Sequence, residues 1–127
     1  MKLLKFTALL WLALIVLSGV GKNPIPKRLI GTYTGTQDSY EVMVNKSPVT
    51  IPSVNLTLKL SYNELLLSSP NKVTKGRYQV TAPTKKYYSL KVYFEDGTIE
   101  NWQLFRRGKK ILRDGLNPRP SMVFVKR

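Results

Sequence analysis

The sequence predicts an all-β domain: an antiparallel meander of eight to ten short strands closing into a small lipocalin-like barrel, preceded by an N-terminal hydrophobic signal helix. Three observations predict it. Apolar residues beyond Leu29 recur with period two and almost never with period 3.6. Turn signals recur every few residues. The connections are short, which suits up-and-down order better than crossovers, and closure removes the exposed sheet edges that an open meander would leave.

The elements follow in order. Residues 1–21 carry Lys2 and Lys5, then an apolar run from Phe6 to Leu17, then Ser18, Gly19, Val20 and Gly21. This is the layout of a secretory signal peptide, or of an N-terminal anchor if it stays uncleaved. The run falls short of the ~20 residues of a spanning helix. Leu17-Ser18-Gly19 resembles a bacterial lipobox, but Val20 stands where the lipidated Cys would be, so no thiol is available there. Residues 22–28, with Pro24 and Pro26, read as a short extended basic linker, and residues 29–127 as the barrel domain.

A first strand spans 30–36 and a second 40–44. Asn45 to Pro48 form a turn from which 49–51 pair back. Residues 54–61 alternate Val54, Leu56, Leu58 and Leu60 against Asn55, Thr57, Lys59 and Ser61, the pattern of a half-buried antiparallel strand. Tyr62-Asn63 turns into 64–68, and the polar stretch 69–75, containing Pro70, reads as a loop. Strands follow at 77–82 and at 85–95, the latter the longest. Asp96-Gly97 is the strongest hairpin signal. Residues 98–106 return, 109–113 follow the Arg107-Gly108 turn, 114–120 form a Pro/Gly/Asn loop and 121–126 close the chain.

The Asp96-Gly97 hairpin admits two registers, and a one-residue slip exchanges its faces. A two-residue turn sets Val92 against Asn101 and Leu90 against Gln103, giving a lumen with convergent amides, as a ligand pocket wants. A three-residue loop, with Gly97 in a left-handed bulge, sets Leu90 against Trp102 and Tyr88 against Leu104. Burying a large apolar side chain contributes ~1.5–3 kcal/mol, and leaving an amide buried without a partner costs ~1–3 kcal/mol. Both favour the second register. The expected interior is Tyr33, Leu56, Leu58, Leu60, Tyr88, Leu90, Val92, Trp102 and Leu104.

The Gly31-Thr32-Tyr33-Thr34-Gly35 opening, the leucine-rich meander, Gly76-Arg77-Tyr78 and the closing Met122 to Arg127 together resemble the lipocalin-like, or calycin-like, small barrels of bacterial envelopes. The spacing is similar to the N-terminal barrel of the NlpE-type copper-stress lipoproteins and covers most of 29–127. The resemblance implies a barrel that either binds a small apolar ligand or is packed solid. Those lipoproteins carry a lipidated Cys and a Cys-x-x-Cys pair, and this chain has neither, so metal or redox sensing does not transfer.

Composition narrows the chemistry. The 127 residues include no Cys and no His. This removes disulfides, thiol nucleophiles, imidazole bases and the usual zinc, iron–sulfur and haem ligand sets. No cofactor and no metal are expected. Glu95, Asp96 and Glu100 invite comparison with paired glycosidase carboxylates, but they are expected at exposed positions around a turn, where they solubilise and end strands. The expectation is therefore a protein that is not an enzyme.

Charge is the loudest surface feature: +14 overall, and +12 once Lys2 and Lys5 are set aside. Lys85, Lys86, Arg106, Arg107, Lys109, Lys110 and Arg113 flank paired strands, and where they share one barrel end they form an anion-binding surface for lipid headgroups or another polyanion. A solvated basic surface without a partner is the alternative. Tyr87, Tyr88 and Tyr93 invite base stacking, yet export disfavours nucleic acid as a physiological partner. The charge also argues against inhibition of cationic lysozymes, which it would repel. Two functions remain open: an exported, periplasmic or secreted barrel binding a small apolar or amphipathic anionic ligand, or a packed envelope module that contacts a protein partner or an anionic membrane through its basic face.

Overall fold

The loop Glu95-Asp96-Gly97 fixes the register of the hairpin that carries the central Trp102. In the computed structural model, which describes residues 25–127, Gly97 N–H donates to Phe94 O and Phe94 N–H to Thr98 O, both at 2.9 Å. Gly97 has φ +93°, the left-handed bulge of a three-residue hairpin loop. Asp96 Oδ1 accepts the Thr98 N–H at 2.8 Å, which holds its carboxyl below the usual range. Leu90 therefore pairs with Trp102 and Tyr88 with Leu104, and Glu100 faces Val92.

Ten antiparallel strands follow from this pattern: β1 (Gly31–Gln37), β2 (Tyr40–Val44), β3 (Ser47–Ile51), β4 (Val54–Leu60), β5 (Glu64–Ser69), β6 (Lys72–Pro83), β7 (Tyr87–Phe94), β8 (Ile99–Phe105), β9 (Lys110–Arg113) and β10 (Met122–Lys126). Eight close into a barrel in the order β1-β10-β9-β8-β7-β6-β5-β4. The remaining pair, β2 and β3, form a separate two-stranded sheet that stands off the barrel between β1 and β4 as an ear. The expected meander is thus broken once: β1 pairs with β4 from Gly31↔Leu60 to Gln37↔Val54, and the intervening hairpin stays out.

The turn read over Asn45 to Pro48 is confined to Asn45-Lys46, because β3 starts at Ser47. The 69–75 stretch is not a loop: the turn is confined to Pro70-Asn71, and β6 starts at Lys72. Val73 and Lys75 face outward, while Lys72 and Thr74 turn toward the barrel mouth, Thr74 opposite Leu67, so polarity did not mean irregularity there. This makes β6, with 12 residues, the longest strand in place of β7. A bulge between Val80 and Ala82 absorbs its bend.

The interior is packed. Tyr33, Leu56, Leu58, Leu60, Tyr88, Leu90, Val92, Trp102 and Leu104 are all buried, joined by Leu65, Ile111, Phe124 and others. Trp102 lies at the centre, with ring centroids 5.7 Å from Phe124 and 6.1 Å from Phe94. One end is corked by the segment that leads into β1: Ile25 is buried, and a single 3-10 turn, Lys27–Leu29, turns Leu29 fully inward. Leu29 O accepts the Tyr33 hydroxyl at 2.6 Å. Burial, and then the neighbouring Tyr78, push the Tyr33 hydroxyl up to about 12. This contribution to stability is complete below the ordinary tyrosine range and is lost as pH rises through the shifted value. Part of the stretch read as linker thus plugs the barrel. The expected signal helix lies outside the described residues.

Gly35 marks the closest approach of β1 to β10: a Cβ there would lie 2.5 Å from Val123 O. At Gly97 a Cβ would meet nothing within 4 Å. Gly97→Ala is therefore expected to cost about 1 kcal/mol, the conformational penalty alone. Gly35→Ala should cost more than that, because backbone must move, and Leu104→Ala about 2–5 kcal/mol. Urea unfolding of the three variants checks this order.

Candidate functional site

The two barrel ends differ in chemistry. At the plugged end the β6–β7 turn (84–86), the β8–β9 turn (106–109), the plug and the C-terminal strand meet through backbone contacts. Arg106 N–H donates to Lys86 O and Lys126 N–H to Lys109 O, each at 2.9 Å, and Arg127 N–H donates to Thr32 O at 3.0 Å. Thr84 shapes the first turn, its Oγ1 accepting the N–H groups of Lys86 and Tyr87 at 3.2 and 3.0 Å. Gly108 (φ +86°) and Lys109 (φ +47°) turn the second.

These connections bring Lys85, Lys86, Arg106, Arg107, Lys109 and Lys110 to one end. The structure adds Lys27, Arg28, Lys126 and Arg127, which sequence spacing could not place there. Some of these side chains also build the end. Lys126 Nζ donates to Arg28 O at 2.7 Å, and Arg28 Nη2 to Arg106 O at 3.3 Å. The Arg106 guanidinium lies 4.2 Å from the centroid of the Tyr88 ring, so Arg106 is half-buried, with a desolvated cation–π contact. Lys85, Lys86, Arg107, Lys109 and Lys110 remain exposed. Tyr87 is occupied against Phe105 at 5.7 Å, and Tyr88 points inward, which leaves neither as an open stacking platform.

The acids are elsewhere. Asp38 and Glu41 lie at the root and on the flank of the ear, and Glu95, Asp96 and Asp114 on loops at the unplugged end. Only Glu64 sits near the basic end, paired in register with Arg77. The domain is electrically polar along its axis.

Arg113 is a correction to the expected surface cluster, and Glu100 to the expected exposed carboxylates. Along β9 the alternation Lys110 out, Ile111 in, Leu112 out turns Arg113 inward, opposite Trp102. Glu100 is 2% exposed and lies near the unplugged end. Arg113 clamps it with Nε to Oε1 at 2.8 Å and Nη2 to Oε2 at 3.0 Å, and Trp102 Nε1 donates to Oε1 at 2.8 Å. Arg119, from the loop between β9 and β10, adds Nη1 to Oε2 at 3.1 Å and Nη2 to Oε1 at 3.3 Å. The same guanidinium donates to Asp114 O at 3.0 Å. The cluster pins that loop across the open mouth, where Gln37 Nε2 also donates to Pro120 O at 2.9 Å. Burial raises the Glu100 carboxyl, but the hydrogen bond and charge of Arg113, with Trp102 and Arg119, outweigh it and hold the group below its ordinary value. These groups are committed to one another and to the loop, so the cluster holds structure together.

At the same end is a cleft of about 240 Å³ lined by residues including Gln37, Leu56, Leu67, Lys72 and Arg113. It is smaller than the ~300–1,000 Å³ of ordinary ligand pockets. Two larger depressions, of about 390 and 490 Å³, share Arg77 and Tyr93 on the outer wall and do not enter the barrel. Among the described residues, no group of three or more acids could hold a metal ion.

Comparison with protein-family models, with curated proteins and with solved structures gave no match. The closed eight-stranded antiparallel barrel is compatible with a small lipocalin-like barrel.

Glu100→Ala removes the carboxylate from the buried Arg113 and the half-buried Arg119 and is expected to cost about 3–5 kcal/mol. Because the folded-state value is depressed, the stabilisation is complete above the ordinary glutamate range and is lost as pH falls through the shifted value. Denaturant unfolding across the acid range should show that loss in the native chain and a flatter profile in Glu100→Gln.

Proposed function

We propose that this chain is an exported, non-enzymatic envelope module whose filled barrel rests its basic end on an anionic membrane surface. One observation carries the reading: the chain enters the barrel at Ile25, on the same end to which the connections bring the exposed cations, while the loop acids lie at the other. If residues 1–21 stay uncleaved as an anchor, they tether that end nearest the lipid. Electrostatics then adds to tethering, since each Lys or Arg close to an anionic leaflet is worth ~1 kcal/mol. The attraction fades within a Debye length of about 8–10 Å, so the orientation matters as much as the net charge. The reading of the barrel as a carrier for a small apolar or amphipathic ligand has less support. Trp102, Phe124 and the leucines occupy the space such a ligand would take.

Vesicle co-sedimentation of residues 22–127 tests this. Strong binding to vesicles containing phosphatidylglycerol is expected, with release at high salt and little binding to pure phosphatidylcholine. Neutralising Lys85 and Lys86 to Gln should weaken binding roughly thirtyfold, following from ~1 kcal/mol per charge. Neutralising Lys46 and Lys72, at the opposite end, should leave it unchanged. Equal loss from both pairs, or equal binding to neutral lipid, would sink the proposal.

A further inference from the structure

The ear is the part of the fold that the barrel does not use. Its turn, Asn45-Lys46, has φ +51° and +67°, the two-residue type that joins twisted strands. With Val44 opposite Ser47, alternation points the N–H and C=O groups of Tyr40, Val42 and Val44 toward β3 and those of Glu41 and Met43 outward. Those outward groups have no hydrogen-bond partner among the described residues. The other edge is blunted: Pro48 takes an outward position on β3 and has no N–H to offer. One edge is therefore open and one is guarded.

The face of the ear carrying Val42 is apolar as well. Tyr40, Val42, Val44, Val49 and Ile51 share it with Ser47; Tyr40, Val42 and Ile51 are half-buried, and Val44 and Val49 are 48% and 41% exposed. An apolar strand with an open edge is a template for pairing.

We infer that β2 pairs antiparallel with β2 of a second copy of this chain, about a two-fold axis at Val42. This goes beyond the membrane reading and does not depend on it. Register selects the occupant. Centred on Val42, Glu41 and Met43 form hydrogen-bonded pairs with the partner copy's Met43 and Glu41, and all four outward groups on each strand are satisfied. Val42 then faces its own copy, and Tyr40 faces Val44, on the apolar face. Centred on Glu41, two carboxylates would oppose each other. Centred on Met43, Glu41 would fall opposite the turn. The ear contains one acid, Glu41, and one base, Lys46, and Lys85, Lys86, Arg107, Lys109 and Lys110 lie at the opposite barrel end, so repulsion between two basic domains is lower here than there. A five-residue edge is small beside the ~1,200–2,000 Å² of stable interfaces, which makes the pair a weak one, revealed by trapping.

The absence of native cysteine makes the test clean. Val42 and its copy would form a non-hydrogen-bonded pair, about 4.5 Å apart at Cα, within disulfide reach. Full-length Val42→Cys, oxidised with diamide, should give a disulfide-linked homodimer roughly tenfold faster than Val49→Cys, which lies on the same face but one strand away from the axis. Adding Met43→Pro, which removes an outward N–H, should abolish the difference. Far-ultraviolet circular dichroism checks that each variant keeps its barrel. Equal trapping at the two positions, no trapping at Val42, or a cross-link only to a protein of another mass overturns the inference.

Discussion

Register at one hairpin decides what the interior of this protein is. A single extra residue in the Glu95-Asp96-Gly97 loop sets Trp102 and Leu104 inside and Asn101 and Gln103 outside. The same choice fixes the partners of β9, which pairs with β8 at Trp102↔Arg113 and Leu104↔Ile111. β10 pairs with β9, and β1 with β10, so the same inward face continues around that side of the barrel. A slip there would expose the largest aromatic in the core and bury amides, each step costing a substantial share of the ~5–15 kcal/mol by which domains are stable.

That choice also places a carboxylate inside. Glu100 is the penalty of the register, and its burial is tolerable because two arginines and an indole N–H converge on it. The arrangement converts a desolvated charge into a fastening. Arg113 fixes the end of β9, and Arg119 fixes the loop that follows, so the mouth is covered by a segment with little regular structure of its own. The plugged end is closed differently, by Leu29, Tyr33 and the half-buried Arg106 over the Tyr88 ring, while Lys85, Lys86, Arg107, Lys109 and Lys110 stay outside.

Much of this was legible in the residues. Alternation gave the interior from Leu56 to Leu104, because each of those positions is set by period two within its own strand. The hairpin energetics gave the register. The basic end was legible in part, since Lys85-Lys86 and Arg106-Arg107 lie on paired strands. Arg28 and Lys126 were not, because they are brought there by the plug and by β10, which are remote in sequence. Arg113 was legible but misread. It shares the face of Ile111, and an inward arginine on one strand with an inward glutamate on its neighbour signals a pair. Local polarity misled at 69–75, where the outer wall tolerates Lys75 and the rim of the mouth tolerates Lys72 and Thr74 within a strand. The ear could not be recognised as separate, because its alternation is as good as that of any barrel strand.

The seam of the barrel joins its first strand to its last, with Tyr33 opposite Lys126. No other pairing can close the cylinder, so a polypeptide emerging from the ribosome cannot complete it before β10 is made. Until then both β1 and the growing front present raw strand edges. Topology alone thus keeps the nascent chain threadable until β10 has been made.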